Sequence, residues 1–92
     1  MTQEFIKKRN QLSERIFEST KGKVSIAIWT TEVSSKYKTL ITHAGHIVIS
    51  ILDKERNPEH EIDISTNEFD SSDACKNYLE TFIDTLNSVC FN

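Results

Sequence analysis

The chain is short of the residues that mark most specialised protein classes. Two Gly and one Pro in 92 residues leave almost no material for linkers, so the sequence reads as one domain, residues 1–92. Two Cys cannot build the disulfide framework of a small secreted scaffold. No apolar run approaches the ~20 residues that a membrane helix needs. The opening stretch MTQEFIKKRN holds no apolar h-region ahead of a cleavage site, so the expectation is a cytoplasmic protein with reduced thiols and no membrane partner. A Gly-rich phosphate loop, a Ser or Cys nucleophile motif and a paired-carboxylate signature are all missing. The expectation is therefore a protein that is not an enzyme and carries neither cofactor nor metal.

What is there suits an ordinary folded domain. An apolar share of 37% beside 27% charged residues is enough for one modest core and argues against a disordered tail. The net charge of −3 hides an uneven distribution. Residues 1–52 hold eight Lys/Arg against four Asp/Glu, whereas residues 53–73 hold two against eight. Opposite signs in two parts of one chain can steer docking to a partner or pair internally.

In the first segment Thr2 reads as the cap of a helix reaching about Ser19. At 100° per residue Phe5, Leu12 and Ile16 fall together, with Ile6 and Phe17 on the flank. Arg9 lies inside this stripe, where its stem can pack while its head reaches water. Gly22 suits the helix stop. Lys23 to Val33 alternates Val24, Ile26 and Ile28 with Ser25, Ala27 and Trp29, a strand pattern, and Ser34-Ser35 reads as the turn after it.

Tyr37 to Leu52 is the most strand-like run, and Ala44-Gly45 at its middle predicts a hairpin of two strands with Gly45 supplying the positive φ. One face would carry Leu40, Thr42, Ile47, Ile49 and Ile51 toward the helices, the other Tyr37, Ile41, Val48 and Leu52 with His43 and His46. A charged loop, DKERNPEH, follows. Glu61 to Ser65 then predicts a short fourth strand at a sheet edge with an acidic outer face. Asp70 suits an N-cap, with Asp73 in the first turn and Phe69 and Ala74 as a hydrophobic staple. Cys75, Leu79, Phe82, Leu86 and Val89 give the last helix, which reaches about Val89, its seam, with Tyr78, Ile83 and Cys90 alongside. The predicted fold class is α+β, in the order α-β-β-β-β-α: an antiparallel meander with both terminal helices on one face.

Few residues suggest chemistry. His43, His46 and His60 lack the firm ligand spacing of a zinc site and read as solvated turn histidines. Cys75 and Cys90 lie ~22 Å apart along one helix, too far to bond, and read as small buried apolar residues. Trp29 and Tyr37 fall near the uncovered sheet face and suit interface anchors. Together with Asp53, Glu55, Glu59, Glu61 and Asp63 they form the candidate partner-binding set. Lys7, Lys8, Arg9, Lys21, Lys23, Lys36 and Lys38 form a candidate nucleic-acid-binding set.

The helix–strands–helix order resembles the double-stranded RNA-binding domain family, whose fold is αβββα. The resemblance implies binding of RNA phosphates by a Lys-rich cluster at the start of the final helix. Here that place reads Phe69-Asp70-Ser71-Ser72-Asp73, which repels phosphate, and the loop that the family inserts into the minor groove has no counterpart at Ser34-Ser35.

The functional expectation is a non-catalytic protein-binding module, an inhibitor that occupies a basic surface of a larger complex. By type it is analogous to phage or mobile-element anti-defence proteins such as anti-CRISPR proteins. The alternatives are a nucleic-acid-binding domain using the basic N-terminal half, and a small acidic secretion chaperone or immunity protein that forms a homodimer.

Overall fold

The computed structural model describes residues 3–34 and 40–91. Along the chain run α1 (Gln3–Ser19), β1 (Val24–Val33), β2 (Thr42–Leu52), β3 (Pro58–Ser65) and α2 (Ser72–Phe91). The strands form one antiparallel sheet in the order β1-β2-β3.

The α+β meander is as the sequence suggests, but it has three strands. The predicted hairpin at Ala44-Gly45 does not exist, because β2 passes straight through both residues and pairs Ala44 with Thr31 and Gly45 with Thr30. Among the described residues positive φ occurs at Lys21, Gly22 and Arg56, not at Gly45. Gly45 has a different task. A Cβ placed on it would meet Leu79 Cδ2 at 2.9 Å, so the missing side chain makes room for α2 to sit on the strand backbone. Of the arm expected from Tyr37, residues 37–39 lie outside the described residues, Leu40 and Ile41 are exposed and not strand, and Thr42 and His43 open β2. Leu40 therefore does not join the helix-side face, and Thr42, paired with Val33, falls on the opposite one.

Pairing fixes which side chains share a face. Ile26 and Ile28 of β1 stand beside Ile49 and Ile47 of β2 on one side. Phe5 and Leu12 of α1 and Cys75, Leu79 and Ile83 of α2 close over them, so both helices cover the same face. Each fully buried side chain of this cluster contributes about 1.5–3 kcal/mol of transfer free energy. The seam of α2 departs from the expected one at its end: Ile83 is buried and Phe91 packs against the core, whereas Val89 and Cys90 are exposed.

Local chemistry sets the ends. Gly22 takes φ 74° and its N–H reaches back to the Phe17 carbonyl at 2.7 Å, which closes α1 as expected. The cap of α2 is Ser71 rather than Asp70: Ser71 Oγ accepts the Ala74 N–H at 3.1 Å. Phe69 packs against the Tyr78 ring at 5.5 Å, and its backbone makes a bridge with His43. The helices run side by side in the same direction, joined by Lys8 to Asp84 at 3.3 Å and by Arg15 to Asn87 at 2.8 Å.

The two outer strands are treated differently. On β1 the carbonyls of Ile26 and Ile28 accept from Ser13 Oγ at 3.0 Å and Arg9 Nη1 at 3.5 Å. Arg9 thus lies in the apolar stripe with one guanidinium nitrogen at a strand edge, while its Nε donates to Asn10 Oδ1 at an exposed position. Helix α1 covers one edge of the sheet while packing on its face. β3 touches no element except β2, and all eight of its residues are exposed.

Candidate functional site

The candidate surface is the sheet face turned away from the helices, together with β3. Strand alternation puts Ala27, Trp29 and Thr31 of β1 on this face, beside His46 and Val48 of β2. From β3 it receives Glu61, Asp63 and Ser65. The other side chains of β3, Ile62 and Ile64, point to the helix side, yet remain 55% and 43% exposed because α2 stops short of them.

At the centre stands His46. The Trp29 ring stacks on it with centroids 5.4 Å apart and planes at 22°. Thr31 Oγ1 lies 2.8 Å from Nε2, and Ser65 Oγ lies 3.2 Å from Nδ1. A neutral imidazole donates through one nitrogen and accepts through the other, so one hydroxyl accepts and its counterpart donates in either tautomer. Three strands are therefore tied together by one side chain, and Trp29 is held with a defined orientation on the outer face. His46 is not a solvated turn residue, as the sequence suggested, because the turn itself is absent. The sequence signal that could have revealed this cluster is the alternation of β1, which already places Trp29 and Thr31 on one side. The missing piece was the pairing register.

The acidic set divides into two kinds. Asp53 Oδ1 accepts the N–H groups of Glu55 and Asn57 at 2.9 and 2.8 Å, which shapes the β2–β3 loop. The same loop is anchored by Arg56, whose Cζ lies 5.9 Å from the Phe17 ring centroid and whose Nη2 reaches the Lys21 carbonyl. Glu55 and Glu59 are exposed beside it. Glu61 and Asp63 face outward opposite Ser50 and Val48, so no cation stands across from either carboxylate on β2. Tyr37, Lys36 and Lys38 lie outside the described residues.

The described members of the basic set do not converge on one patch. Lys8 is spent on Asp84 and Arg9 on the Ile28 carbonyl, while Lys21 and Lys23 lie at the opposite end of α1, about 20 Å from Lys7 by helical rise. Lys21 and Lys23 line an open groove of about 590 Å³ that also carries Asp53, Glu55 and Glu59, so its charge is mixed.

The three histidines are dispersed, His46 on the outer face and His43 and His60 toward the helix side. Among the described residues no group of three or more His, Cys, Asp or Glu side chains could hold a metal ion. Cys75 is fully buried, and that burial raises its thiol pKa against a smaller lowering by Lys76. It is a packing residue, as expected, whereas Cys90 is exposed. No described helix is long and apolar enough to cross a membrane.

Compared with known proteins, the chain matches no family model, and no curated protein or solved structure is similar to it at a significant level.

Proposed function

We propose that this chain is a non-catalytic protein-binding module that acts by occupying a basic surface of a larger complex. The observation that supports this reading most is the outer sheet face: its own helices leave it uncovered, it displays an oriented Trp29, and it is bordered by Glu61 and Asp63. An oriented aromatic beside carboxylates that meet no cation among the described residues is the composition of an interface anchor with an electrostatic rim. The same small, acidic, motif-free character supports an inhibitor of the anti-defence type, analogous to anti-CRISPR proteins encoded by phages or mobile elements and working in the host cytoplasm. The test is capture of the partner by the wild-type chain and by the combined variant Glu55→Gln, Glu59→Gln, Glu61→Gln. Capture should weaken in the variant and become less sensitive to salt. Unchanged capture would remove the acidic border from this reading.

A second reading is nucleic-acid binding, favoured by one observation: the three-stranded meander gives the order αβββα, that of the double-stranded RNA-binding domain. Against it, the start of α2 carries Asp70 and Asp73 where that family holds phosphates, and Lys8 and Arg9 are engaged within the fold. Salt titration of binding to duplex and single-stranded nucleic acid separates the two readings, since phosphate contacts give a steep salt dependence.

A further inference from the structure

We infer that β3 is the docking edge itself, and that it takes up an extended segment of the partner, alternating basic and aliphatic residues, as a fourth strand. This rests on the protein-binding reading above and specifies how the partner is held.

The hydrogen-bond phase of the sheet decides which backbone groups of β3 face outward. The Thr66 N–H bonds the Gly45 carbonyl at 2.9 Å. In an antiparallel ladder bonded and non-bonded pairs alternate, so the even-numbered residues of β3 direct their backbone to β2. Glu61 and Asp63 belong to the other set, paired with Ser50 and Val48, and their N–H and C=O groups point away from the sheet. The same phase holds on β1, where the outward carbonyls of Ile26 and Ile28 are satisfied by Ser13 and Arg9. Among the described residues, one edge is thus covered and the opposite one is bare.

Both faces of that bare edge have a matching chemistry. Ile62 and Ile64 form an apolar strip on the helix side, continued on β2 by the half-exposed Ile51. Glu61 and Asp63 form an anionic strip on the outer side. A strand added beside β3 would place alternate side chains against these two strips. Aliphatic residues complete the first and Lys or Arg residues neutralise the second. A second copy of this chain fits poorly, because pairing β3 with itself would set the Glu61 and Asp63 carboxylates against identical ones.

The test uses short synthetic peptides, acetylated and amidated, titrated into the 15N-labelled chain. One alternates lysine and valine, one has the same composition in two blocks, one alternates glutamate and valine, and one is the first peptide with alternate backbone nitrogens methylated. The alternating lysine peptide should bind and slow the exchange of the Glu61 and Asp63 amide protons. The blocked and N-methylated peptides should bind at least about tenfold more weakly, a loss equivalent to one or two hydrogen bonds. The glutamate peptide should not bind. Asp63→Asn should weaken binding through charge alone, and Asp63→Pro further, since its N–H makes no bond to β2 and an outer strand accepts proline there. Should Asp63→Pro fail to fold, the N-methylated peptide probes the same bonds from the partner side. Equal binding of the alternating and blocked peptides overturns strand addition while leaving the acidic docking surface in place. Dimerisation of the peptide-free chain, abolished by Asp63→Pro or by Ile62→Lys, overturns the inference in favour of a second copy. No binding of any lysine peptide rejects it outright. The acidic border of the reading beneath it falls only if partner capture is also indifferent to the Glu55, Glu59 and Glu61 changes.

Discussion

Leu79 of α2 lies where the side chain of residue 45 would be: its Cδ2 is 2.9 Å and its Cδ1 3.0 Å from the position of a Cβ on Gly45. The last helix is therefore seated on the bare backbone of the central strand, and one glycine sets how deeply it sits.

Gly45→Ala tests this seating. The backbone at this position needs no positive φ, so the added methyl acts through space alone. Leu79 is fully buried and hemmed in by Ile47, Cys75 and Ile83, which restricts its retreat. The expected loss is about 1–3 kcal/mol, the range for overpacking a close-packed core. Urea unfolding of Gly45→Ala, Leu79→Val and the double variant should give non-additive changes, with Leu79→Val costing less when Gly45→Ala is already present. Additive changes would show that the two residues do not compete for the same space.

Ser13 tests the covered edge. Its hydroxyl donates to the outward Ile26 carbonyl at 3.0 Å from a half-buried position. Ser13→Ala leaves that carbonyl without its donor and should cost about 0.5–1.5 kcal/mol in urea unfolding. A cost near zero would mean that water replaces the hydroxyl and that the cover on β1 is not energetically real.

Much of this architecture could be read in the residues themselves. Both helices, the antiparallel meander and the acidic outer strand follow from local periodicity, which reports how side chains alternate between wet and dry sides. The count of strands did not, because Ala44-Gly45 is ambiguous locally: a glycine between two β-rich arms serves a tight turn or a close approach equally well. Only Leu79, far along the chain, decides between them. The His46 cluster was hidden for the same reason, since Trp29, Thr31, His46 and Ser65 meet through register and not through spacing. Arg9 shows the converse. Its place in the stripe was legible, but its acceptor was a strand carbonyl that no side-chain pattern reveals.

Cys75 and Cys90 should differ sharply in reactivity. Burial raises the Cys75 thiol above its ordinary value of 9.0, with Lys76 opposing, whereas Cys90 is exposed. At mildly alkaline pH, maleimide or iodoacetamide should modify Cys90 alone in the folded chain and both cysteines in denaturant. The same shift gives a pH dependence. The unfolded thiol ionises first as pH rises, so the native state then holds more protons and stability falls. That contribution is intact below about pH 9.0, the ordinary value, and is lost above it toward the raised native value. Cys75→Ala should flatten the alkaline decline relative to the wild-type chain; an identical slope would show that Cys75 does not contribute to it.

The outer face can be monitored through its own reporter, because Trp29 is the single tryptophan of the sequence. Its indole stacks on His46, which is held by Thr31 and Ser65. His46→Ala removes the stacking partner and both hydroxyl contacts. His46→Phe keeps an aromatic face but offers no nitrogen to either hydroxyl. Acrylamide quenching of Trp29 should rise in His46→Ala and stay near the wild-type level in His46→Phe. Stability should fall in both, by about 0.5–1.5 kcal/mol more in the alanine variant, the increment of an aromatic pair. If quenching is unchanged in His46→Ala, the stack does not hold Trp29 in place. If His46→Phe quenches like alanine, the hydroxyl contacts, and not the ring, set the orientation of the indole. Partner capture by the two variants then separates the claims, since an oriented Trp29 used as an anchor should be retained with phenylalanine at this position and lost with alanine.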